Sequence, residues 1–145
     1  MKRKLSGLYV ITDQQFIPRT NFVETVELAL KGGASVLQLR EKHSDNSRTI
    51  ELGKQLLDIT RKYGVPLIIN DSPGLAKEIG ADGVHLGEED CSVEEARSIL
   101  GAESIIGVSC YNRLERGSNA EKSGADYLAF GSPYYTTTKP DRVPT

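Results

Sequence analysis

The chain has 145 residues, with 18 Lys and Arg against 20 Asp and Glu, a net charge of −2. That length suits one domain over residues 1–145, large enough to bury roughly 68–70% of its unfolded surface. The charge balance argues against a nucleic-acid binder, and no apolar run approaches the ~20 residues of a membrane span.

In chain order, Met1-Lys2-Arg3-Lys4-Leu5 is basic but leads into no long apolar stretch. No signal peptide is expected, and a cytoplasmic location is. Gly7 to Thr12 reads as a strand, and Phe22 to Leu30 as a helix stopped by Gly32-Gly33. Val36–Leu39 is the second predicted strand, followed by a helix over Ser47–Tyr63 closed by Gly64. Leu67–Asn70 is the third strand, with a short helix near Pro73–Ile79, and Gly83–Leu86 is the fourth. Ser92 and Glu95 form a capping box for a helix that carries Val93, Ala96, Ile99 and Leu100. Ile105–Ser109 is the fifth strand, Arg113 to Lys122 a weaker helix, and Tyr127–Phe130 the sixth strand. Cys91 and Cys110 lie far apart with no C-x-x-C, so both are expected as small, reduced, apolar residues.

Regular strand–helix alternation implies an α/β fold, a parallel sheet covered by helices. Gly32-Gly33-Ala34-Ser35, Gly80-Ala81-Asp82-Gly83 and Gly124-Ala125-Asp126-Tyr127 repeat one phrase at three helix ends. A repeating βα unit with such short turns favours a (β/α) barrel over a doubly wound sheet.

Buried parallel strands should read as continuous apolar runs, and the second strand breaks that rule. Val36, Gln38, Arg40 and Lys42 share one face by period two, directed into a barrel or its rim, while Leu37 and Leu39 face the helices. A buried unpaired cation is costly, so these cations should meet an anion. A rim network with neighbouring carboxylates is the structural alternative. Left without an anion, Arg40 and Lys42 should repel each other, and Arg40→Met should then leave stability unchanged or raise it. Asn70-Asp71 ends the third strand, and Gly87-Glu88-Glu89-Asp90 follows the fourth. Acidic loops on adjacent strands can share one hard cation through oxygen ligands. Alternatively Asp71 is a helix N-cap and the acidic run a solvated loop. The sixth strand runs into Gly131-Ser132-Pro133-Tyr134-Tyr135-Thr136-Thr137-Thr138-Lys139, whose hydroxyls, backbone N–H groups and lysine suit phosphate or an ordinary flexible loop. His85, in an apolar strand, reads as a satisfied core histidine rather than a catalytic base.

Ordered along the chain, Tyr9-Val10-Ile11-Thr12-Asp13, Gln38-Leu39-Arg40-Glu41-Lys42, Ile69-Asn70-Asp71, Gly83-Val84-His85-Leu86-Gly87, Ile106-Gly107-Val108-Ser109 and Phe130-Gly131 through Lys139 form a specific combination. It resembles the thiamine-phosphate synthase (thiamine-phosphate pyrophosphorylase) family over essentially the whole chain. The resemblance implies a TIM-type eight-stranded (β/α) barrel. It also implies transfer of a pyrimidine from its diphosphate, 4-amino-2-methyl-5-(diphosphooxymethyl)pyrimidine, to a thiazole phosphate, with release of pyrophosphate. By the same resemblance, Gln38, Leu39, Arg40, Glu41, Lys42 and Asn70 hold the pyrimidine diphosphate. Asp71 and Asp90 hold Mg2+, and Ser109 and Lys139 bind the diphosphate. Thr136, Thr137 and Thr138 approach the thiazole phosphate or diphosphate. Arg40, Lys42 and Lys139 would stabilise the leaving pyrophosphate, and the family's dissociative route needs no protein nucleophile.

Only six strands are counted, where the family's barrel has eight. Hence a truncated chain is expected, whose open first and sixth strands favour self-association and whose inward residues, Phe130 among them, are partly wetted. The alternatives to a synthase are a non-catalytic remnant binding a diphosphate or partner chain, and a thiazole tautomerase relative. The tautomerase carries a histidine shortly after the fifth strand, where this chain has Cys110-Tyr111-Asn112.

Overall fold

The computed structural model describes residues 5–42, 44–131 and 134. Its strands are β1 (Leu8–Ile11), β2 (Ala34–Leu39), β3 (Leu67–Asn70), β4 (Gly83–Leu86), β5 (Ile105–Tyr111) and β6 (Tyr127–Phe130). The helices between them are α1 (Phe22–Lys31), α2 (Asn46–Tyr63), α3 (Pro73–Ile79), α4 (Val93–Leu100) and α5 (Leu114–Lys122), with a 3-10 turn at Arg19–Asn21.

All strands are parallel, and they lie in the order β1-β2-β3-β4-β5-β6. A doubly wound sheet reverses its strand order at a switch point. Here each strand pairs with its successor, which is barrel winding. The sheet also curls, because Tyr9 on β1 and Tyr127 on β6 bring their hydroxyls within 2.7 Å.

Strand alternation builds two apolar layers. Leu37, Leu39, Leu67, Ile69, Val84 and Ile106 face the helices in one continuous core. Val36, Ile68 and Ile105 form a smaller inner cluster against Tyr9 and Tyr127. Helix starts follow their caps: Asp45, Ser72 and Ser92 accept from the backbone N–H of Arg48, Leu75 and Glu95. Gly80 ends α3 at φ 78, a conformation that costs a residue with a Cβ.

The repeated Gly-Ala-Asp phrase does more than end helices. Asp82 accepts from the Leu67 N–H at 2.8 Å and Asp126 from the Ile106 N–H at 2.9 Å, so each carboxylate ties a helix exit to the preceding strand.

Two expectations need correction. Strand β5 runs on to Tyr111 instead of stopping at Ser109, because a register shift between Ser109 and Tyr111 lets the strand resume beyond an irregularity. Phe130 does not point inward. Its ring lies against α5, where a Cβ at Gly117 would come within 2.7 Å of Phe130 Cζ, and it shares that helix side with Leu128. Among the described residues, Cys91 and Cys110 are free cysteines, and no helix is long and apolar enough to cross a membrane.

Candidate active site at the C-terminal rim

The C-terminal ends of β2, β3 and β4 carry the charged residues that the inner apolar layer excludes. Gln38, the last inward residue of β2 in the barrel interior, is buried and donates from Nε2 to the Tyr9 hydroxyl at 2.8 Å. One pleat further on, Arg40 reaches the rim. Its backbone N–H donates to Thr12 Oγ1 at 3.0 Å, and its guanidinium pairs with Asp13 at 3.4 Å. Glu41 is held by Gln14 and by the Ser44 hydroxyl, the latter at 2.6 Å. Leu39 requires correction as a binding residue: it is 1% exposed within the helix-facing core, so its side chain does not reach the rim.

Ser72, not Asp71, caps α3. Asp71 adopts φ 66, a left-handed conformation that turns it off the helix path, and hydrogen-bonds with Asp90. Asp90 is fixed in turn by the Gly87 N–H, which donates to its Oδ2 at 2.6 Å. The Asp71 carboxyl is pushed up to about 6, first by burial, then by the charge of Asp90 and their hydrogen bond, while Lys42 and Arg40 pull it down. Asp71, Asp90, Lys42 and Arg40 therefore form one electrostatic cluster. Two carboxylates held together suit a small divalent cation, with the Lys42 and Arg40 charges beside it left to meet an anion. Among the described residues no group of three or more acidic, His or Cys ligands exists, so such a cation would rely on water and substrate oxygens as well.

The sign of the Asp71 shift gives a prediction. The folded state holds this proton more tightly than the unfolded chain, so its stabilising contribution is full below pH 3.8 and lost as pH rises through about 6. The shift is worth about 3 kcal/mol unscreened, and roughly 1 kcal/mol for a half-exposed group. Urea titration should find Asp71→Asn more stable than the parent by about that 1 kcal/mol at pH 8 and equal to it near pH 4, asparagine tolerating the left-handed backbone. Equal stability at pH 8 would remove the repulsion.

Arg40 is not the unpaired cation expected. It has Asp13 as a partner and Asp71 as a neighbour, and it is 15% exposed. Arg40→Met should accordingly lower stability, by on the order of 1–2 kcal/mol, rather than raise it. An unchanged denaturation midpoint would restore the like-charge account.

Ser109, on the inner face of β5, bonds His85 Nε2 at 2.8 Å, and His85 Nδ1 meets the Tyr127 hydroxyl at 2.9 Å. Burial pushes the Tyr127 phenol far up, so it stays protonated. Arg116 of α5 donates to the Ser109 carbonyl at 2.7 Å and to the Gly87 carbonyl at 2.8 Å, strapping the β4 and β5 ends together. Thr136, Thr137, Thr138 and Lys139 lie outside the described residues. Asp13, Thr12, Arg116, Tyr9 and Tyr127 are site residues that sequence reasoning missed.

A groove of about 600 Å³ runs between α4 and α5 over Leu86 and Val108 and touches Asp90. Arg40, Lys42 and Asp71 do not line it, so the rim cluster, not the groove, is the candidate site.

The sequence pattern of the family described as thiamine monophosphate synthase matches residues 8–145. The chain belongs to that family. A thiamine-phosphate synthase of Nitrosococcus oceani is 48% identical over 143 residues, 99% of this chain and 66% of the relative. One from Methylococcus capsulatus is 48% identical over 134 residues, 92% of this chain and 59% of that protein. The solved thiamine phosphate pyrophosphorylase of Pyrococcus furiosus superimposes with a TM-score of 0.81 at 43% identity, covering 89% of this chain and 61% of that one. The fold is thus that of the TIM-type barrel family, and this chain spans less than two thirds of the length of these thiamine monophosphate synthase relatives.

Proposed function

We propose that this chain acts as a thiamine-phosphate synthase. It would join 4-amino-2-methyl-5-(diphosphooxymethyl)pyrimidine to 4-methyl-5-(2-phosphooxyethyl)thiazole, releasing pyrophosphate, in the cytoplasm. The observation that carries this reading is the Asp71–Asp90 pair facing Arg40 and Lys42 at the strand ends, in a chain of this family. Asp71 and Asp90 would hold Mg2+, which when bound supplies neutralising charge to the diphosphate oxygens. Arg40 and Lys42 draw the anion to the rim and counter the charge that grows on the leaving group. By resemblance, Gln38 and Asn70 would hold the pyrimidine diphosphate, and Ser109 would offer a hydroxyl to its phosphates. Lys139 and Thr136–Thr138 complete the set by resemblance alone. The residues' work is electrostatic stabilisation and alignment of two rings.

Calorimetry with the pyrimidine diphosphate, with and without magnesium, followed by a turnover assay with the thiazole phosphate, tests this. Magnesium-dependent binding and formation of thiamine phosphate are expected. Binding without turnover identifies a half-site, and no binding overturns the synthase reading in favour of the non-catalytic remnant.

The sheet edges support a second proposal, that this 145-residue chain self-associates. Edge strands β1 and β6 expose Leu8 (59%), Ile11 (49%) and Phe130 (51%), and neither carries an internal lysine or proline. Size-exclusion chromatography should show concentration-dependent oligomers, and amide exchange should show weak protection in both strands. A monodisperse monomer with strong protection there contradicts it.

A further inference from the structure

A continuous hydrogen-bonded chain crosses the barrel interior through five strands. Gln38 Nε2 donates to the Tyr9 hydroxyl at 2.8 Å, and the Tyr9 and Tyr127 hydroxyls are 2.7 Å apart. The Tyr127 hydroxyl meets His85 Nδ1 at 2.9 Å, and His85 Nε2 meets Ser109 Oγ at 2.8 Å.

Each hydroxyl has one proton to give, and a neutral imidazole has one N–H and one bare nitrogen. These rules propagate a direction. Because Gln38 donates to Tyr9, the Tyr9 proton goes on to Tyr127, the acceptor that the described residues offer it. The Tyr127 proton then goes to His85 Nδ1, which must be bare, and the imidazole proton sits on Nε2 and is donated to Ser109. Ser109 has accepted, so its own proton points onward to the rim. Were the Gln38 amide turned over, every bond would reverse, and Ser109 would spend its proton on His85. Within this chain of bonds, these two senses are the ones that give each linking proton an acceptor.

We propose that Gln38 sets, through Tyr9, Tyr127 and His85, the direction of the Ser109 proton, so that Ser109 serves as a donor to an anionic oxygen at the rim. Tyr9, Tyr127 and His85 are then positioning residues, acting through Ser109. The consequence for binding rests on reading the rim as a diphosphate site; the direction of the chain does not. The orientation of the Gln38 amide thereby reaches an anion-binding group three strands away, with no movement of the backbone.

The test is long-range proton–nitrogen NMR on the full chain labelled at histidine, with His43→Gln to assign the two ring systems. The parent should show His85 protonated on Nε2. Gln38→Glu presents only acceptors to Tyr9, reverses the chain, and should move the proton to Nδ1. Tyr9→Phe, which keeps a ring and adds no charge, should leave a mixture, and it serves if Gln38→Glu does not fold. An Nδ1-protonated parent overturns the proposal, as does a tautomer unchanged in the variants. Calorimetry with magnesium pyrophosphate gives the second arm. Ser109→Ala should weaken binding by about tenfold, the scale of one hydrogen bond to a charged group, and Tyr9→Phe by about twofold, because a mixture keeps Ser109 in its donating sense about half the time; the double variant should lose no more than Ser109→Ala alone. Additive losses overturn the coupling. Absence of pyrophosphate binding by the parent defeats the diphosphate reading instead, and the tautomer arm still decides the relay.

Discussion

Alanine at Asp71 or at Asp90 should remove the magnesium dependence of pyrophosphate binding, with the affinity read by calorimetry falling on the order of 100-fold. The two carboxylates hydrogen-bond with each other and have no third acidic, His or Cys partner among the described residues. Removing one leaves a cation with a single protein oxygen against full hydration, which a reluctant dehydrator such as magnesium does not favour. The weak binding that remains without magnesium should hardly change, because it draws on Arg40 and Lys42. Folding is affected in opposite ways. Asp71→Ala relieves a repulsion but places a Cβ without a polar side chain at φ 66, so the two effects nearly cancel. Asp90→Ala strips the acceptor from the Gly87 N–H, whereas Asp90→Asn keeps an acceptor and removes the charge. Asp90→Asn is therefore the sharper variant: it should retain stability and lose the magnesium dependence. A variant at either position with the parent's magnesium dependence shows that its residue is no ligand.

The sequence made the six strands legible because buried parallel strands are short apolar runs, and the glycines between them mark helix exits. It could not reveal the irregularity at Ser109–Tyr111, since Ile105 to Tyr111 carries no break in composition. At the site, period two brought Gln38, Arg40 and Lys42 to one face, and adjacency of β3 and β4 brought Asp71 and Asp90 together. What escaped was every partner fixed by closure of the sheet. Asp13 neutralises Arg40 from a loop that chain order alone does not aim, and Tyr9 meets Tyr127 across 118 residues. The acceptor role of Asp82 and Asp126 depends on a strand that only the folded sheet sets beside them. Phe130 follows from Tyr127 by alternation: with Tyr127 turned inward to meet Tyr9, the period of two sends Phe130 to α5.

Gly107→Ala should be among the most destabilising single-methyl changes in the chain. Gly107 lies between His85 of β4 and Tyr127 of β6 in the strand register. A Cβ there would fall within the Tyr127 ring, against Cζ and the hydroxyl. The ring has little room to retreat. Its hydroxyl is held by Tyr9 at 2.7 Å and His85 at 2.9 Å, and its face stacks on the imidazole with centroids 5.6 Å apart. Overpacking of about 1–3 kcal/mol adds to two lost hydrogen bonds of about 1 kcal/mol each, for a total of roughly 3–5 kcal/mol. The same methyl in a Tyr127→Ala background meets no ring and should cost under about 1 kcal/mol, a coupling that a double-mutant cycle in urea reads directly. Glycine at this position is thus what admits a tyrosine to the inner layer of a neighbouring strand, and that tyrosine is what carries hydrogen-bond direction from Tyr9 to His85. Equal costs in the two backgrounds would mean that the β5 backbone, not the Tyr127 ring, demands glycine.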